Sequence, residues 1–257
     1  MPRETRTNEA LADEIVKRQA ARQRTSFFVP LPEMRALNDA GMLTVQPFDG
    51  GLYIFARRRG AEDVYYFLDP EASPVPPEKA GLPLLLTLTR LASAPQDPPQ
   101  STWEALGFKP YITRTRFVLT KDKLPQNRIQ TYATQAHLDE IYELLTGYYE
   151  PLASFVPTKA ELSSYIDAKR VIIAEENGTF RGFMHFEQMQ KTCFLWHLVV
   201  NKKGCGYGKK LMLDACGIPG VSRTLLWVQD NNTGARELYE RLGFTRDGRV
   251  TAVLKMD

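Results

Sequence analysis

The sequence predicts an α+β fold, and three observations predict it. The apolar strand end Val199-Val200 runs through the Gly-rich turn Lys203-Gly204-Cys205-Gly206-Tyr207-Gly208 into a helix carrying Lys209, Lys210, Leu211 and Met212. The second half sets two helix-period segments ahead of a hairpin-rich set of strands, then alternates strand, loop, helix, strand, helix and strand. A short helix ending in Leu-Gly-Phe and delivering a strand occurs twice, at Leu106-Gly107-Phe108 and at Leu242-Gly243-Phe244.

The chain has 257 residues, 43% of them hydrophobic and 25% charged, which suits a globular protein of one large or two small domains. Residues from about Asn8 to Arg24 read as a charged helix with Leu11, Ile15 and Val16 on one side. Pro30-Leu31-Pro32 breaks the chain before a short helix at Met34 to Ala40. Strand patterns follow at Leu52 to Ala56 and Val64 to Leu68, joined by the turn-like Arg57-Arg58-Arg59-Gly60, whose arginines suit a solvated hairpin tip. A Pro-rich loop from Pro70 to Pro83 leads to the apolar strand Leu84 to Leu91. The helix at Ser101 to Leu106 then delivers the strand Tyr111 to Leu119.

Lys121 to Asn127 is polar and carries Pro125, so the domain boundary is expected there, giving domains 1–125 and 126–257. Beyond it the periodicity predicts helices at Gln135 to Leu145 and Lys159 to Ala168, the second opened by the capping box Thr158-Lys159-Ala160-Glu161. Strands are expected at Val171 to Glu175, Phe180 to Glu187 and Cys193 to Val200, the first two joined by the hairpin signal Asn177-Gly178. The helix after the Gly loop stops early at Gly217-Ile218-Pro219-Gly220. Strand Thr224 to Val228, helix Gly234 to Leu242 and strand Val250 to Lys255 close the chain.

The Gly loop is a candidate anion site. Gly204, Gly206 and Gly208 remove side chains where the backbone turns tightly, and successive N–H groups at a helix start form a cradle for phosphate oxygens. It is not a P-loop, because Lys209-Lys210 is followed by Leu211 rather than Ser or Thr. It is a poor dinucleotide fingerprint as well, since Lys209 stands three positions after Gly206.

Read together with Asn232-Thr233-Gly234-Ala235-Arg236-Glu237-Leu238-Tyr239-Glu240-Arg241-Leu242-Gly243-Phe244, the loop resembles the GNAT superfamily of acyl-CoA-dependent N-acetyltransferases. Lys203 to Gly208 is similar to the family's Q/R-x-x-G-x-G/A pyrophosphate loop, with Lys203 keeping the charge but losing the planar fork of Arg. The resemblance implies a mixed, mostly antiparallel sheet with flanking helices, and acetyl-CoA as acyl donor to a primary amine by direct attack. It implies that backbone groups of Leu198, Val199 and Val200 bind the pantetheine and thioester oxygen, one N–H stabilising the oxyanion by about 3 kcal/mol. Lys203, Gly204, Cys205, Gly206, Tyr207, Gly208 and Lys209 would hold the pyrophosphate. Asn232 and Ala235 would stand at the cofactor arm, Asn232 being equally suited to start a helix. Tyr239 matches the family's general acid at the departing thiolate.

An amine with a pKa of about 10 arrives protonated, so a base is needed. The positions of the family's usual carboxylate hold Phe194 or Trp196 and Trp227 instead, which leaves His197 and Glu187 as candidates and the two tryptophans as an aromatic acceptor wall or ordinary core. The first half resembles a smaller, degenerate α+β unit of the same family. It lacks a Gly-x-Gly loop and has Trp103 in the place of Tyr239. Its Leu-Gly-Phe is also a generic helix stop.

Cys193, Cys205 and Cys216 have no CxxC spacing or obvious pairing, which suits a reducing compartment and argues against a zinc or disulfide framework. An acyl-cysteine route lacks an adjacent base. Interspersed charges with a net +3 give no reason to expect nucleic acid or membrane as partner. A charged N-terminus without an apolar core leads to the expectation of a cytoplasmic monomer or homodimer. A non-catalytic acyl-CoA sensor, or a transferase using another acyl-CoA, remain alternatives. Fold alone does not name the acceptor.

Overall fold

The computed structural model describes residues 2–58, 60–120 and 128–257. Arg59 of the expected hairpin tip and the expected boundary segment 121–127 lie outside the described residues. Two compact units emerge: Met1–Thr113 together with Val250–Asp257, and Arg114–Arg249.

In the first unit, α1 (Asn8–Ala20) starts where the Thr7 side chain accepts the N–H of Ala10, and α2 (Leu31–Asp39) carries Pro in its first turn. Both pack on a sheet of β2 (Leu43–Phe48), β3 (Gly51–Arg58), β4 (Ala61–Leu68) and β5 (Leu84–Leu91), with the two-residue β1 (Arg24–Thr25) beside β4. The sequence analysis placed no strand at β2, which contains Pro47. Pro47 is tolerated there since β2 is an edge strand. Leu52, Tyr53, Ile54 and Phe55 are all buried. Leu52 and Ile54 face the α1–α2 core, while Tyr53 and Phe55 face a second core with Trp103 of α3 (Gln100–Ala105). β3 thus reads as an unbroken apolar run because both its faces are covered.

The second unit orders its strands β6-β10-β9-β8-β7, from β6 (Lys109–Thr120), β7 (Val171–Glu176), β8 (Thr179–Met189), β9 (Thr192–Val200) and β10 (Arg223–Gln229). One face carries α4 (Leu138–Tyr148), preceded by a 3-10 turn Gln135–His137, and α5 (Lys159–Asp167) with the expected Thr158–Glu161 capping box. The other carries α6 (Tyr207–Cys216) and α7 (Thr233–Arg241). Asn177 and Gly178 both have positive φ, as a two-residue hairpin turn joining right-twisted strands demands. The last strand, β11 (Thr245–Met256), begins in this unit and ends in the first.

Each unit runs helix, helix, three antiparallel strands, then a strand parallel to the third. The parallel crossover from β9 to β10 is made by α6, whereas the one from β4 to β5 is the Pro-rich chain 69–83 without a helix. Leu-Gly-Phe stands after α3 and after α7, and Gly107 and Gly243 take the left-handed φ of a helix C-terminus. The strand delivered by α3 pairs antiparallel with β10 in the second unit. The strand delivered by α7 ends in the first.

Candidate active site

The site is organised by the place where two parallel strands part. β9 and β10 pair from Thr192/Arg223 to Leu195/Leu226, and no further pair joins them although β9 continues to Val200 and β10 to Gln229. At that level β9 also carries a bulge: His185 opposes His197 and Phe186 opposes Leu195, leaving Trp196 as the extra residue. A bulge bends its strand and re-aims the residues that follow. Cys193 and Leu195 face the α6–α7 core, and beyond the bulge that face is taken by Leu198 and Val200.

Alternation along an antiparallel strand decides which backbone groups reach the gap. The Val199 carbonyl is turned to β8, where a Cβ on Gly182 would come within 2.5 Å of it. Asn201 donates its N–H to Arg181 on the same side. Leu198 therefore turns its N–H and C=O away from β8, and a side chain missed by sequence reasoning meets both. The Tyr149 hydroxyl accepts the Leu198 N–H at 2.9 Å and donates to the Leu198 carbonyl at 3.2 Å. Burial holds Tyr149 well above the usual phenol range, and nearby Tyr239 adds to the shift. The only sequence signal for Tyr149 was an aromatic pair ahead of Pro151 at a helix end.

Tyr239, on α7, is buried between the rings of Phe117 (6.1 Å) and Phe244 (5.9 Å), and burial holds it above the usual phenol range. A phenol so placed stays protonated at neutral pH and can donate. Asn232 caps α7, its side-chain oxygen accepting the N–H of Ala235.

The loop from Lys203 to Gly206 is exposed, and Gly204 and Gly206 have φ of +81° and +83°. A Cβ at either position would meet nothing within 4 Å, so the turn at the N-terminus of α6 is open rather than a packed bend. That arrangement fits a phosphate-bearing ligand. Lys203 Nζ lies 5.8 Å from the Tyr148 ring centroid, Cys205 and Lys209 are exposed, and the neighbouring Glu176 carboxylate raises the pKa of the Tyr207 phenol.

His197 and Glu187 are both committed to other partners. His197 Nε2 is 3.0 Å from the Ser154 carbonyl, which only accepts, so Nε2 carries the proton and Nδ1 faces His185 Nδ1 at 3.3 Å. The His185 ring stacks on Tyr165 at 4.6 Å, and burial, with His197 and Arg170 nearby, lowers its pKa to about 3. Burial lowers His197 too, against the Ser154 hydrogen bond. Glu187 pairs with Arg170 at 3.0 Å. Trp196 and Trp227 are 44% and 37% exposed, and the Arg116 guanidinium covers Trp227 at 5.6 Å. Cys193 and Cys216 are buried, with thiols pushed up to about 12, the wrong direction for a nucleophile.

Among the described residues no group of three or more His, Cys, Asp or Glu could hold a metal ion, and no helix is long and apolar enough to cross a membrane. Residues 138–244 match the model of the Acetyltransferase (GNAT) family. No curated protein matches the sequence. Among solved structures, the chain is similar to a GCN5-related N-acetyltransferase from Sphaerobacter thermophilus, with 17% identity over 99% of this chain and 94% of that one, at a TM-score of 0.64. It is similar to an acetyltransferase of the GNAT family from Colwellia psychrerythraea, with 14% identity, full coverage of both chains and a TM-score of 0.58. A tandem GNAT protein from the clavulanic acid biosynthesis pathway aligns over 83% of this chain and 82% of its own at 12% identity and a TM-score of 0.52. At these identities the likeness is one of fold.

Proposed function

Because residues 138–244 belong to the GNAT acetyltransferase family, whose fold and family imply acyl transfer from acyl-CoA, we propose that the chain is an N-acetyltransferase moving an acetyl group from acetyl-CoA to a primary amine. The observation that supports this reading is the parting of β9 and β10 after Leu195/Leu226, with Leu198 beyond the split, the open Gly loop after β9, and Tyr239 close to the Tyr149 that bonds Leu198. Acyl-CoA supplies a thioester carbonyl already activated for attack. The chain's residues bind it, hold its acyl oxygen and handle protons.

The loop from Lys203 to Lys209 takes the pyrophosphate through backbone N–H groups at the start of α6, helped by the charges of Lys203 and Lys209. Backbone groups of Leu198, and of Val200 two residues on, take the cofactor arm and acyl oxygen, an N–H being a fixed dipole aimed where negative charge develops. Tyr239 donates its phenolic proton to the departing sulfur and is reprotonated, by way of water, with the second proton that the amine nitrogen loses as it becomes the amide. Both nitrogens of His197 are engaged and Glu187 is paired with Arg170. We therefore assign neither as base, and the amine sheds its proton to water before attack. Trp196 and Trp227 wall the acceptor side.

The test is thiol release from acetyl-CoA across a panel of amines, for the parent protein and Tyr239→Phe. Turnover is expected for at least one amine, with kcat about 100-fold lower in the variant and acetyl-CoA affinity within about twofold. Acetyl-CoA binding without turnover on any amine contradicts it. That result selects the second reading, a non-catalytic acyl-CoA-binding module, which the engaged His197 and Glu187 favour.

A further inference from the structure

The Leu198 N–H and C=O stand on a strand that has lost its neighbour. Past Leu195/Leu226 nothing on β10 pairs with them, yet a peptide group turned into a protein interior is costly without a partner. Tyr149 resolves this with one atom, its hydroxyl accepting from the N–H and donating to the carbonyl. That is the pairing a peptide-like amide would make along a strand edge, and an acyl-CoA arm carries such amides.

The hydroxyl is aimed by a built arrangement. Tyr149 sits at the C-cap of α4, its own N–H bonded to the Leu145 carbonyl. Its ring meets His197 edge to face, with centroids 4.9 Å apart and planes at 77°. His197 is in turn fixed by the Ser154 carbonyl and by His185. With both nitrogens of His197 engaged, its ring is the floor on which the Tyr149 ring stands.

We propose that Tyr149 is a built-in placeholder for the acyl donor, its hydroxyl standing in for the donor's arm at Leu198 in the free protein and yielding those backbone groups when the arm enters. This rests on the acyl-CoA reading above. In the free protein Tyr149 satisfies these two groups of β9, and it competes with the ligand for them. Removing the hydroxyl alone removes the competitor.

Tyr149→Phe keeps the ring on His197 and deletes only that hydroxyl. Calorimetry with acetyl-CoA is expected to show about tenfold tighter binding by the variant, the equivalent of one competing hydrogen bond. Amide exchange at Leu198, measured by NMR without ligand, is expected to be at least about tenfold faster in the variant. In the parent protein with ring-labelled tyrosine, the Tyr149 resonance should move on saturation with acetyl-CoA, a readout that does not depend on the variant folding. Equal or weaker binding by Tyr149→Phe overturns the proposal while leaving the acyl-CoA reading intact, because the parent still binds. An unmoved Tyr149 resonance at saturation overturns it in the same way. A parent protein that does not bind acetyl-CoA overturns both.

Discussion

His185 and His197 lie ring on ring at 5.6 Å beneath the strand that lines the gap, and their burial couples the site to pH. The folded protein holds His185 at about 3, with Tyr165 stacked on it and Arg170 nearby, whereas an unfolded chain takes up the proton near 6.5. Stability from this residue is therefore complete above about pH 6.5 and is lost as pH falls toward 3, because the unfolded state binds more protons in that window. Urea unfolding followed by the fluorescence of Trp196 and Trp227 should show a loss of about 2 kcal/mol between pH 7 and pH 5, and His185→Leu should flatten that slope. Equal stability at both pH values in the parent would count against a buried neutral pair. At this scale the sequence was uneven. Tyr239 was legible because it stands inside a motif, and His197 was noticed as a polar residue in an apolar strand. Its partners were not, since Ser154 and His185 are brought to it only by the α4–α5 connection and the β8 register. Tyr149 carried only the weak signal of an aromatic pair ahead of Pro151, because a tyrosine ending a helix is ordinarily packing.

The bulge in β9 is the element on which the site turns, and Gly182 on β8 makes room opposite its far end. Gly182 has a φ of +151°, and a Cβ there would come within 2.5 Å of the Val199 carbonyl and 2.8 Å of the Val200 Cα. Both the backbone angle and the space demand glycine. Gly182→Ala should destabilise the second unit by about 2–4 kcal/mol in urea and weaken acetyl-CoA binding, since β9 would be pushed toward the gap. A stability within about 0.5 kcal/mol of the parent would show that β8 and β9 yield freely there. Most strands and helices were legible from periodicity, caps and the Asn177-Gly178 turn. The bulge was not, although its trace is present: residues facing the α6–α7 core step by two from Cys193 to Leu195, then by three to Leu198. A single sequence read at a fixed period smooths over such a phase change. β2 was not read as a strand, and it contains Pro47, whose exclusion from strands does not extend to an edge.

Across the whole molecule, the repeated helix–strand delivery exchanges the closing strands between units. The strand after α3 pairs with β10 in the second unit, and Val250–Asp257 close the first. A sequence can disclose that Leu-Gly-Phe recurs, but not which sheet receives the strand that follows, because that is a matter of non-local pairing. Leu254 and Met256 are buried in the core around Trp103 and Phe108. Deleting residues 250–257 should therefore cost the first unit about 3–6 kcal/mol, read as lost hydrogen-exchange protection across β3 to β5. Unchanged protection would mean that the first unit closes without the chain's end. The central claim, that the second unit holds an acyl donor by its Gly loop and parted strands, meets its most direct test in calorimetric titration with acetyl-CoA beside Gly206→Asp. Aspartate tolerates a left-handed φ better than most residues and nothing crowds its Cβ, so the fold should persist while a carboxylate enters the phosphate cradle. Binding on the order of micromolar is expected for the parent, with a loss of at least about 100-fold in the variant. Equal affinity in the two proteins, or no heat from a folded parent, would contradict the claim.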